Sequence, residues 1–193
     1  MKDIKGAINR VIKMINETPY IYNTEADIQG LVYSELLKEY KEKYPTGLTD
    51  SEGKNFVTNR VHREYFGGEG GRIDTVVFSK EEIERIDRYW FCIKTSNHPG
   101  YRPVKLQDAI EIKTGAYKTK EKLNKEIRKD IDRLTKLLRD KKTKNAHFIF
   151  IIRWPTKKED MMNRMDSAVK LARERCKAEG VMFYCNEYKK LFK

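Results

Sequence analysis

Leu106-Gln107-Asp108-Ala109-Ile110-Glu111-Ile112-Lys113 carries the two-residue period of a β-strand, with Ile110 and Ile112 on one face and Ala109, Glu111 and Lys113 on the other. An acid and a base therefore share one face of a strand otherwise built for a core. On its C-terminal side, residues 117–144 read as a long helix, because Leu123, Ile127, Ile131, Leu134 and Leu138 recur at steps of three and four. Ala146 to Trp154 is nearly continuously apolar, which suits a central strand covered on both faces, and Pro155 ends it. Met161, Met165, Ala168, Ala172 and Cys176 mark another helix; Gly180 is placed to end it, and Val181 to Cys185 reads as a last strand.

Working toward the N-terminus, residues 79–107 mix charges with aromatics and read as an excursion from the main pattern. Arg72 to Phe78 is a strand, and Phe56 to Phe66 a β-branched and aromatic strand before it. The intervening Gly67-Gly68-Glu69-Gly70-Gly71 supplies turn chemistry, so the two form an antiparallel hairpin. A phosphate cradle is the other reading of that turn, but no lysine or helix start follows it. Thr46 to Asn55 reads as a polar loop. Thr24 is placed to cap a helix running to about Tyr40, with Ile28, Leu31, Val32 and Leu36 as its apolar stripe; Glu25 and Glu35 fall toward that stripe and Asp27 away from it. Ile4, Ile8, Val11, Ile12 and Ile15 predict a first helix within 1–18 that covers the core. The chain of 193 residues thus reads as one α/β domain with its core at about 24–185 and a mixed sheet flanked by helices.

Charged residues make up 36% of the chain and apolar ones 39%, so much of each element must face solvent. The formal net charge of +12 favours a polyanionic partner. Thirteen Lys and Arg against five Asp and Glu lie between Lys113 and Lys144, which concentrates that charge beside the strand carrying Glu111 and Lys113. No window approaches the ~18 apolar residues of a membrane span, and the N-terminal residues lack the apolar stretch of a secretory signal, so a cytoplasmic protein without membrane association is expected. Cys92, Cys176 and Cys185 are too few and too scattered for a disulfide framework.

Phosphodiester hydrolysis assisted by Mg²⁺ needs hard oxygen ligands and benefits from a cation beside the attacking water. Asp74 on the second hairpin strand, with Glu111 and Lys113 on the next, supplies such a set if the strands are neighbours. Glu25 or Glu35 can complete it from the helix. The tripeptide alone decides nothing, since an acid precedes a lysine by two at six places: Asp3, Glu39, Glu52, Glu111, Asp140 and Glu187. Glu111 alone is centred in an alternating strand, preceded by a strand bearing Asp and followed by a basic helix and a buried strand. The bland alternatives are a surface ion pair of Glu111 with Lys113, and Asp74 pairing with Arg72.

In these features the chain resembles the PD-(D/E)XK nuclease superfamily, through Glu25 in Thr-Glu-Ala-Asp-Ile-Gln, Asp74 in Gly-Gly-Arg-Ile-Asp-Thr-Val-Val-Phe, and Glu111-Ile-Lys113 in Ala-Ile-Glu-Ile-Lys-Thr-Gly. Ile73 stands where the family pattern has proline, and 37 residues separate Asp74 from Glu111. The resemblance covers roughly Thr24 to Trp154. It implies a restriction-endonuclease-like fold with an αβββαβ core, and Mg²⁺ (or Mn²⁺) held by Asp74, Glu111 and Glu25. It also implies Lys113 as the residue that positions water, with 5′-phosphate products. Glu35, Glu64, Gln107 and Lys118 are further candidates around that site.

The expected substrate is nucleic acid, with DNA favoured over RNA, tracked along its backbone by Arg72, Lys120, Lys122, Lys125, Arg128 and Lys129. Arg60, Arg63, Arg102 and Lys105 are placed to extend the track; Tyr89, Trp90 and Tyr101 are candidates for base stacking or for burial against the sheet. Cutting both strands of a duplex ordinarily takes two sites, which is compatible with a homodimer. Two other classes fit the same charge: a catalytically inactive nucleic-acid-binding module using the basic helix, and a protein-interaction scaffold. Nothing in the sequence reads out a base preference or a branched substrate.

Overall fold

Thr24 accepts a hydrogen bond from the Asp27 amide while the Asp27 carboxylate accepts one from the Thr24 amide, and this reciprocal cap starts the helix that brings Glu25 to the sheet. The computed structural model describes residues 3–18, 21–22, 24–66, 72–84, 105–115, 119–152 and 159–186. In order, the elements are α1 (Ile4–Glu17), α2 (Glu25–Glu39), β1 (Tyr44–Thr49), β2 (Asn55–Thr58), β3 (Val61–Phe66), β4 (Arg72–Phe78), α3 (Lys80–Glu84), β5 (Leu106–Gly115), α4 (Lys120–Arg139), β6 (Thr143–Ile152), α5 (Glu159–Glu179) and β7 (Met182–Cys185). The hairpin turn at 67–71, the excursion at 85–104, Lys118, and Trp154 with Pro155 lie outside the described residues.

Five strands form one mixed sheet in the order β3-β4-β5-β6-β7, antiparallel from β3 to β5 and parallel from β5 to β7. The parallel pairs follow from the connections: α4 joins β5 to β6 and α5 joins β6 to β7, and a helical crossover returns the chain in the same direction. Both crossover helices cover one face. There Ala109, Phe148 and Phe150 meet Leu123, Ile127, Ile131 and Leu134 of α4 and Met165, Ala168 and Ala172 of α5. On the other face Val77, Ile110, Ile112, Ile149 and Ile151 meet Ile28, Val32 and Leu36 of α2, with Ile8, Val11 and Ile15 of α1 packed in the same cluster. The alternation of β5 is thus realised, and α1 covers the core as its apolar period predicts.

Three local readings change. Tyr44–Thr49 and Asn55–Thr58 pair as a separate antiparallel ribbon where a loop and the start of a longer strand are expected. The Thr46 hydroxyl bonds the Phe56 carbonyl and the Asn55 amide bonds the Thr46 carbonyl, so polar side chains stitch a ribbon that has no apolar period. The long helix is Lys120–Arg139, capped by Thr119, and it stops short of Lys144 because Lys141 takes a left-handed backbone (φ 54°) and Thr143 opens β6. A short helix, α3, follows β4 directly. Gly180, with φ 71°, ends α5 as its position predicts. Glu64 in edge strand β3 also adopts a positive φ, 48°.

Candidate active site

The site lies where β4 and β5 part. Their residue pairing runs from Phe78–Leu106 to Thr75–Ile110. Beyond it the Asp74 carboxylate takes over, its Oδ2 accepting from the Ile112 amide at 2.7 Å. Its Oδ1 accepts from Gln29 Nε2 on α2 at 2.8 Å, and Arg63 reaches the Gln29 oxygen at 3.4 Å. One turn earlier on α2, Glu25 Oε2 accepts from the amide (3.2 Å) and hydroxyl (3.4 Å) of Thr114 and stands 3.7 Å from Lys113 Nζ. One helix therefore holds both strands at the split, through Gln29 on Asp74 and Glu25 on the end of β5.

Glu111 and Lys113 face α4, as their shared strand face dictates. Lys113 Nζ lies 3.2 Å from Asp130 Oδ2 and 3.9 Å from Glu126. Glu111 Oε1 accepts from Arg133 Nη1 at 2.5 Å, and the same nitrogen donates to the Arg72 carbonyl at 2.7 Å. Burial and the neighbouring charges of Glu25 and Asp130 push the Asp74 carboxyl up to about 6, against the pull of the Ile112 amide. Burial, with Asp74 and Asp130 nearby, pushes Glu111 up to about 9, although Arg133 opposes this. Burial also raises Asp130. At Lys113 burial works to lower the ammonium, but Asp130 and Glu25 outweigh it and the net shift is upward.

Glu25, Asp74, Glu111 and Lys113 are thus brought to one place, whereas Glu35, Glu64 and Gln107 are not among their neighbours. Glu35 is buried on α2 but is held by Arg10 of α1 and by Lys38, which keep its carboxyl low. It ties two helices together. Gln107 accepts from Arg60 at 2.5 Å, and Arg60 also bonds the Phe78 carbonyl and lies over the Tyr40 ring. Arg60 is therefore spent inside the fold instead of extending a phosphate track. Glu64 is exposed and paired with Arg72 at 2.8 Å. His62 bonds the Asn59 carbonyl, and His147 sits between Asp108 and Tyr184. Lys120, Lys122, Lys125, Arg128 and Lys129 are all exposed on α4. At ~100° per residue, Lys122 and Lys129 flank the stripe of Glu126, Asp130 and Arg133, while Arg128 points to the outer side.

Gln29, Asp130 and Arg133 are site residues that the strand-centred reading missed. Asp130 stands three residues after Ile127 and four before Leu134, so it had to face the sheet. That spacing was the available signal.

No family model, curated protein or solved structure matches the chain. Among the described residues no group of three or more His, Cys, Asp or Glu side chains is placed to hold a metal ion. The expected convergence of three carboxylates on one ion is therefore not assembled here, and Glu111 is turned to Arg133. The donor chemistry nevertheless fits Mg²⁺, which keeps most of its waters and needs only one or two carboxylates. So does the charge: Glu25, Asp74, Glu111, Glu126 and Asp130 face Lys113 and Arg133, a formal excess of three negative charges. No helix among the described residues is long and apolar enough to cross a membrane.

Proposed function

We propose that the chain is a Mg²⁺-dependent nuclease with a restriction-endonuclease-like core, hydrolysing phosphodiester bonds in DNA. The observation that carries this reading is Lys113: a largely buried ammonium, gripped by Glu25 and Asp130, on the strand that also carries Glu111 beside Asp74. Buried carboxylates in excess over cations are costly to maintain for stability alone, and their purpose is to meet a positive charge brought from outside. Asp74 and Glu111, with Glu25 nearest, would hold the ion. When bound, Mg²⁺ supplies a more acidic water and withdraws charge from the phosphate. Lys113 orients the attacking water and stabilises negative charge as it grows on phosphorus oxygens. Gln29 and the Ile112 amide fix the Asp74 carboxylate, so that it does not have to be ordered during the reaction. The exposed lysines flanking the α4 stripe carry the duplex backbone.

The test is a panel of labelled duplex, single-stranded, flapped and four-way DNA with and without Mg²⁺. Cleavage should require Mg²⁺ or Mn²⁺, and Asp74→Ala and Lys113→Ala should each abolish it while leaving DNA affinity largely intact. Unchanged turnover in both variants would overturn the assignment. Salt-dependent binding with no product under any divalent ion would point to an inactive binding module instead.

A further inference from the structure

Arg133 is the least satisfied cation of the site. Its side chain is 14% exposed, and its Nη1 serves both Glu111 and the Arg72 carbonyl. Nη2 lies 3.6 Å from Asp130, while the buried Nε has no hydrogen-bond partner. Glu111, 3% exposed at its side chain, has this guanidinium as its ion-pair partner. A buried carboxyl is costly unless a proton or a cation neutralises it, and the cation placed against Glu111 is Arg133. A guanidinium offers five donors in a fork that matches phosphate oxygens better than a single carboxylate oxygen and a carbonyl.

We propose that Arg133 is an internal counter-ion that holds Glu111 closed in the metal-free protein, and that a divalent ion at Asp74 and Glu111 displaces it, freeing the guanidinium for the substrate phosphate. This rests on the nuclease reading and adds regulation of the same site. By linkage, ion and phosphodiester then strengthen each other's binding, because each removes the competitor of the other.

The experiment is a Mg²⁺ titration of protein carrying nitrogen-labelled arginine, without DNA, followed by NMR. The Arg133 Nε–H signal, assigned by correlation to its backbone and by its loss in Arg133→Lys, should move with the same midpoint as the backbone amides of Asp74 and Glu111. Amides that titrate while the Arg133 signal stays put would overturn the displacement and leave the metal site standing. Amides that do not respond at all would overturn the metal site, and the displacement with it. In calorimetry Arg133→Lys, whose side chain is one atom shorter and reaches Glu111 and the Arg72 carbonyl less well, should bind Mg²⁺ roughly tenfold tighter, the worth of one charge-assisted hydrogen bond. Equal or weaker binding by a folded Arg133→Lys would also overturn the displacement; if that variant does not fold, the wild-type titration decides alone.

Discussion

Asp74 and Glu111 hold their protons more tightly in the folded chain than in the unfolded one, Asp74 up to about 6 and Glu111 up to about 9, chiefly because both are buried. A raised carboxyl contributes stability that is complete below its unfolded value and is lost as pH climbs through its folded one. The metal-free protein should therefore lose thermal stability from about pH 4 to about pH 9, with the Glu111 share falling in the upper part of that range. Calorimetry in a chelating buffer checks this: Glu111→Gln should flatten the upper part of the decline, and a wild-type profile already flat there would refute the shift. Saturating Mg²⁺ should reverse the trend, since protons and metal compete for the same oxygens. At this scale the sequence was legible where alternation placed a residue, as for Glu111 and Lys113. It was illegible where placement depended on which turn of a helix meets which strand. Asp130 and Arg133 are hidden in the overall charge of α4, because a sum of charges does not place its members around a helix.

Two elements set the position of the chemistry. Thr24 and Asp27 start α2 one residue before Glu25, and Gly115 ends β5 two residues after Lys113. A methyl group added at Gly115 would stand 2.8 Å from the Met165 sulfur and 3.3 Å from the Phe150 ring, so α5 packs directly on that backbone. Gly115→Ala should lower stability by ~1–3 kcal/mol through overpacking. It should also reduce cleavage more than DNA binding, because the end of β5 shifts with Lys113 on it. Unaltered unfolding midpoints in urea would show that α5 gives way freely. The helices and the buried strands were readable because their periods are long and apolar. The β1–β2 ribbon was not, since hydroxyl and amide side chains hold it and Phe56 and Val57 remain exposed, leaving no hydrophobic pattern to read.

The formal charge of +12 is a property of the whole molecule, but only part of it lies where a duplex would reach the site. Lys122 and Lys129 are exposed on the side of α4 that borders Glu126, Asp130 and Arg133. Replacing these two by Glu should weaken duplex binding at low salt and reduce the slope of log K against log salt by ~0.9 for each phosphate that is no longer neutralised. A slope unchanged in fluorescence titrations would place the binding face elsewhere. The overall architecture followed from the alternation of strands and helices in the second half of the chain, which requires crossovers. The site needed more, because it is built from four elements, α2, β4, β5 and α4, whose angles no linear pattern contains.

At the β3 border of the sheet, Glu64 turns its backbone left-handed in mid-strand. A neighbouring molecule trying to add its own strand there would meet an interrupted ladder, and the opposite border, β7, is only four residues long. Among the described residues, both borders of the sheet are thereby poor templates for end-to-end growth into fibres.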